Sequence, residues 1–141
     1  MNSIRPAVIR ELVPLFFVQD ISRSAAFYCE KLGFEFDGKW EPNGKLAWCR
    51  LKRGGCAIML QQAEAEDGPA EGRGHGVTFY FNCDAVNSMH AELTQRGIPL
   101  DPPKAAFYGM TQVFIQDPDG YELCFQSPVG EPFAADCGPI P

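Results

Sequence analysis

Two segments of the chain carry a strand-like apolar run that gives way to helical periodicity, and they lie 65 residues apart. The first reads Leu12-Val13-Pro14-Leu15-Phe16-Phe17-Val18, then Asp20-Ile21-Ser22, then Arg23 to Leu32. The second reads Val77-Thr78-Phe79-Tyr80-Phe81-Asn82-Cys83, then Asp84-Ala85-Val86, then Asn87 to Arg96. A period of two predicts a strand and a period near 3.6 a helix. Ile21, Ala25, Tyr28 and Leu32 form one apolar stripe; Val86, Met89 and Leu93 form the other. Gly33 and Gly97 are the expected stops, with Asp20 or Ser22, and Asp84, as N-caps.

Each half continues with short strands between turn residues. In the first these are Phe34 to Trp40, Leu46 to Leu51 and Ala57 to Gln62, divided by Pro42-Asn43-Gly44 and Gly54-Gly55. In the second they are a weaker strand near Ile98 to Leu100, then Met110 to Gln116 and Tyr121 to Gln126 around Asp117-Pro118-Asp119-Gly120. One strand-helix-strand-strand-strand unit thus occurs twice, and an α+β fold of two tandem βαβββ modules is expected. Each sheet buries one face under its helix, leaving the helices outside, and the curved mixed sheet encloses a cleft with its other faces. The modules span about 10–62 and 76–127 within one domain, 1–127, with a linker at 63–75 and a loose tail at 128–141.

Composition narrows the partners. The chain has 141 residues, enough for one domain with a real core. Twelve basic against 18 acidic residues give a net charge of -6, which argues against a nucleic-acid partner. No apolar run approaches the roughly 20 residues that cross a bilayer, and the first residues lack a signal-peptide core. A cytoplasmic protein with no membrane partner is expected. Cys29, Cys49, Cys56, Cys83, Cys124 and Cys137 form no CxxC pair, and most sit in apolar segments, which suits reduced thiols buried in a core.

The segment from Val18 through Asp20-Ile21-Ser22 and Ala25-Ala26-Phe27-Tyr28 to Leu32-Gly33-Phe34 resembles the first strand-to-helix signature of the vicinal oxygen chelate superfamily. That superfamily includes glyoxalase I, extradiol dioxygenases, and fosfomycin- and bleomycin-resistance proteins. Asp117-Pro118-Asp119-Gly120-Tyr121-Glu122-Leu123 is similar to its last hairpin, and the likeness spans about residues 10 to 127. In metal-dependent members four cleft-facing side chains, usually His and Glu, chelate a divalent ion. The resemblance puts those positions here on Val13, Met59, Thr78 and Cys124. Valine has nothing to donate, and a thioether and a neutral hydroxyl are poor donors to hard or borderline ions. Neither a metal nor another cofactor is therefore expected. Displaced ligands remain conceivable at Glu122 and His75, while His90 falls within the second helix.

Strand parity turns Val13, Leu15 and Phe17 toward the cleft and Phe16 and Val18 toward the helix. The expected ligand-binding set is Phe17, Trp48, Met59, Gln61, Thr78, Tyr80, Tyr108, Glu122 and Cys124, with Asn82 and Gln126 on the same wall. Trp48 reads equally as cleft lining or as packing. Aromatic surface with a few polar groups suits a small amphipathic or aromatic molecule. Likeness to the metal-free bleomycin-resistance branch implies a homodimer that sequesters its ligand at the subunit interface, with no catalytic residue. Two other readings stand beside this one. One is an enzyme using displaced metal ligands, or metal-free chemistry at Glu122, Tyr80 or Cys124. The other is a structural or regulatory module without a ligand.

Overall fold

A computed structural model describes residues 3–130 of the chain, so most of the expected tail and Cys137 lie outside the described residues. The duplicated unit is present. The first module comprises β1 (Leu15–Val18), α1 (Ile21–Ala26), β2 (Glu35–Trp40), β3 (Trp48–Arg53) and β4 (Cys56–Gln62). The second comprises β5 (Thr78–Asn82), α2 (Val86–Gln95), β6 (Lys104–Ala105), β7 (Met110–Gln116) and β8 (Glu122–Pro128). Two four-stranded mixed sheets result, ordered β1-β4-β3-β2 and β5-β8-β7-β6, with β1–β4 and β5–β8 parallel. The fold is α+β.

Differences from the sequence reading have local causes. The first strand begins at Leu15 rather than Leu12. The Pro14 carbonyl still accepts from the Met59 amide at 2.8 Å, but proline has no amide to continue the ladder. The segment Ile98 to Leu100 is not a strand, because Pro99, Pro102 and Pro103 remove ladder donors; pairing starts only at Lys104. Asp20 caps α1 as expected, accepting from the Arg23 amide at 3.1 Å. Asp84 does not cap α2: the N-cap is Ala85, and the Val86 amide donates to the Ser127 hydroxyl of β8 at 3.0 Å. Ser127 is buried, so Ser127→Ala should cost about 1 kcal/mol, read as a lower midpoint in urea unfolding.

The first helix also widens. After α1 the chain takes a π-helical turn over Phe27–Lys31, where the Leu32 amide reaches back to the Phe27 carbonyl. Buried Tyr28 within it donates its hydroxyl to Asp117 Oδ2 at 2.8 Å, 89 residues away.

The modules meet through their helix-bearing faces. Phe16 stacks on Tyr121 and meets Phe79, both at 4.6 Å between ring centres, and Phe34 meets Phe81 edge-on. One core cluster therefore draws on both sheets. The duplication is legible even in the seam. Lys31 donates to the Arg96 carbonyl at 2.7 Å, while Arg96, its counterpart 65 residues on, donates to the Glu30 carbonyl at 3.3 Å. Each module's cation thus serves the helix end of the other. At the linker, Gly74 (φ +76°) lies flat on the Tyr121 ring, and a Cβ there would stand 2.5 Å from the ring. Only glycine fits that approach.

Candidate functional site

Alternation along the strands gives each sheet a second face pointing away from the shared core. On the first sheet the rows are Leu15–Met59–Arg50 and Phe17–Gln61–Trp48–Trp40. On the second they are Thr78–Glu122–Gln116, Tyr80–Cys124–Phe114 and Asn82–Gln126–Gln112. The equivalent rows of the two modules differ in chemistry. Phe17, Gln61 and Trp48 occupy the places that Asn82, Gln126 and Gln112 hold in the second half. One open face is aromatic and apolar; the other is built of amides and hydroxyls.

Large apolar side chains on these faces have no cover. Trp40 is 61% exposed, Tyr80 and Phe114 49%, and Leu15 40%. Trp48 is half-buried and lies over Gly38, which has no side chain to prevent the contact. The register puts it in the same row as Gln61 and Phe17. Tyr108 is half-buried in the loop before β7, beside fully exposed Phe107, and leans over the second face to meet Gln112.

The expected residues thus fall on two faces. Phe17, Trp48, Met59 and Gln61 share one; Thr78, Tyr80, Tyr108, Glu122 and Cys124 share the other. Among the described residues, no side-chain hydrogen bond or ring contact joins the two groups. The chain forms crevices of about 420 Å3 along the linker, beside Gln19 and Arg73, and about 310 Å3 around Gly33 and Arg53. Both lie off the open faces. Val13 precedes β1, and the register sets Met59 beside Leu15 and Glu122 beside Thr78. The sequence reading missed Gln112 and Phe114. The signal was present in the alternation of Met110 to Gln116, but parity there can be fixed only once β7 is paired with β8.

Polar groups on the second face are organised. Thr78 donates to Glu122 Oε1 at 2.5 Å. Gln112 Nε2 donates to Tyr108 Oη and, at 2.9 Å, to Gln126 Oε1; Gln126 Nε2 donates to Asn82 Oδ1 at 2.9 Å. Desolvation, with the Tyr108 hydroxyl second, raises the Tyr80 pKa. Cys124 is fully covered, and burial with Glu122 nearby pushes its thiol up to about 12. A covered, protonated thiol is a poor nucleophile at neutral pH.

Residues 10–125 match the family model described as the Glyoxalase/Bleomycin resistance protein/Dioxygenase superfamily. The chain belongs to this superfamily. No curated protein matches it. Solved structures share the fold. TnmS3, an antibiotic binding protein from Streptomyces sp. CB03234, is 22% identical at a TM-score of 0.69, over 88% of this chain and 99% of that one. A glyoxalase-related enzyme from Clostridium phytofermentans is 18% identical at 0.70, over 89% and 100%. TioX from Micromonospora sp. ML1 is 16% identical at 0.65, over 92% and 100%.

Membership raises the superfamily's divalent ion, and the residues in this chain do not fit it. Val13 has no donor atom. Met59 offers a thioether, the Thr78 hydroxyl is committed to Glu122, and the Cys124 thiol is held protonated and covered. Among the described residues, no three His, Cys, Asp or Glu side chains converge in a way that would hold an ion, and no helix is long and apolar enough to cross a membrane.

Proposed function

We propose that this superfamily member binds a small aromatic or amphipathic organic molecule on its open sheet faces without a metal, as a homodimer that holds the ligand between copies. The observation that carries this reading is the pair of uncovered faces, one aromatic and one lined by amides and hydroxyls. Each is half of a ligand site with exposed rings to cover, Trp40 on the first and Tyr80 and Phe114 on the second. Within one chain the core occupies the space between the sheets. A second copy therefore supplies the opposite wall, setting the Trp40–Trp48 face of one against the Tyr80–Tyr108 face of its partner. TnmS3, which shares the fold, is named for antibiotic binding, and sequestration of such a compound is the role proposed here. The acidic surface attracts a cationic ligand, with Glu122 as a local contributor. The functional unit is the single domain at 1–127, in the cytoplasm, where the free thiols at Cys29, Cys49, Cys56, Cys83 and Cys124 stay reduced.

Calorimetric titration with bleomycin and with neutral tricyclic aromatics, on protein stripped of metal by chelator, tests the reading. Saturable heat with quenching of tryptophan fluorescence is expected, and Trp48→Ala should weaken binding by about tenfold or more, roughly 1.4 kcal/mol. Absence of binding to every probe, or binding that appears only on adding a divalent ion, refutes the reading. Sedimentation of a monomer that binds as tightly as expected would remove the dimer from it.

A further inference from the structure

The second face contains a hydrogen-bonded chain of three side-chain amides. It runs from Gln112 to Gln126 to Asn82, with the phenol of Tyr108 at one end and the Tyr80 hydroxyl beside that phenol. The middle amides are covered, Gln112 at 8% exposure and Gln126 at 4%, so their groups must be satisfied by each other. In one direction Gln112 donates to both Tyr108 and Gln126, and Gln126 donates to Asn82: three bonds. A carboxamide has its donor and its acceptor in nearly the same places. If all three amides turn over, Asn82 donates to Gln126, Gln126 donates to Gln112, and Tyr108 donates to Gln112. Three bonds remain, and every arrow is reversed.

The reversal changes what the phenol end offers. In the first direction the Tyr108 oxygen accepts from Gln112, so its hydroxyl hydrogen is free, directly or through Tyr80, to donate outward. In the second that hydrogen is turned inward, and the phenol end accepts. We infer that the Gln112–Gln126–Asn82 chain is a relay that inverts the polarity of the Tyr108–Tyr80 edge. The site thereby takes aromatic molecules carrying either a hydrogen-bond donor or an acceptor at that edge. The inference rests on the open face being the ligand site, as proposed above. The first module has no such device, since Phe17 and Trp48 hold the places of Asn82 and Gln112.

Two single substitutions should lock the relay in opposite senses. In Gln112→Glu the new carboxylate only accepts, so Tyr108 must donate to it and the edge becomes an acceptor. In Asn82→Asp, at the exposed end, the carboxylate only accepts from Gln126, so the chain runs the other way and the edge becomes a donor. The probes are carbazole, which donates through its N–H, and acridine, which accepts through its ring nitrogen; both have three rings and are neutral at pH 8. Ligand-observed NMR titration should find wild-type affinities within about threefold of each other. Gln112→Glu should keep carbazole and weaken acridine by about tenfold or more, and Asn82→Asp should do the reverse. Because the two locks predict opposite selectivity, a general loss of folding in one variant cannot imitate the result. If both probes bind the wild type and weaken in Trp48→Ala, but neither lock changes their ratio, the relay is refuted and the ligand site stands. If neither probe binds the wild type, the ligand site falls and takes the relay with it.

Discussion

Asp117→Ala is expected to destabilise the protein by roughly 3–5 kcal/mol. The Asp117 carboxylate is buried in the seam between the modules and accepts three hydrogen bonds. Tyr28 donates from the first module, and the Asp119 and Tyr121 amides donate from its own turn. Removing it leaves the Tyr28 hydroxyl and two amides without their partner, each costing about 1–3 kcal/mol. Two effects oppose one another. Burial of the carboxylate is itself unfavourable, and desolvation raises the Asp117 pKa in spite of the hydrogen bonds that lower it. Alanine recovers that desolvation energy, which keeps the expected loss below the plain sum of three bonds. Asp117→Asn retains one acceptor oxygen and should lose less, about 1–2 kcal/mol. Urea unfolding of the two variants decides the matter, with a fall in midpoint temperature of about 10 °C for the alanine variant as a second readout. If alanine proves no worse than asparagine, the three donors do not depend on Asp117.

The same turn shows how far the sequence could be read. Asp117-Pro118-Asp119-Gly120 is legible as a turn, because proline and glycine preset its backbone. That it is also the lock between modules is not. Asp119 accepts from the Gln19 amide at 2.9 Å and the Ser24 hydroxyl at 3.2 Å, and Tyr121 donates to the Phe17 carbonyl at 2.8 Å. These contacts span about 95 to 104 residues, and no local periodicity encodes them. The duplication and the facing of Phe16 and Val18 were legible because period two survives within one strand. The short β6 was misplaced because three prolines override the apolar character of Ile98 and Leu100. Gln112 is not legible because the parity of β7 is fixed only by its pairing with β8. Here Tyr108 and the neighbouring strand cover it, and its amide becomes the middle of a network.

Alkaline pH should lower the stability of the protein steeply above about pH 9. Burial holds the Cys49 thiol up at about 11 and the Cys124 thiol up at about 12, against an ordinary value near 9. It also holds the Tyr28 hydroxyl, beside Asp117, well above 10. In the unfolded chain these groups ionise at their usual pH, so between about pH 9 and 12 the unfolded state binds fewer protons than the native one. Stability therefore falls as pH rises through that window, and the contribution is fully present only below about pH 9. At about 1.4 kcal/mol per unit, the two thiols together remove at most roughly 7 kcal/mol by pH 12, a large part of the stability of a domain this size. On the acid side Asp117 works in the same sense: its folded pKa is raised, so its share of stability also declines as pH rises, but in the range just above its unfolded value near 4. Urea midpoints measured from pH 7 to 11 should hold steady to about pH 9 and then drop. Cys124→Ala removes one of the two thiols, so it should lower the midpoint modestly at pH 7 and flatten the decline above pH 9. An unchanged slope in that variant would mean the Cys124 thiol ionises in the native state as it does in water. Solvent would then reach the Cys124 thiol between Tyr80 and Phe114, on the face where ligand binding is proposed.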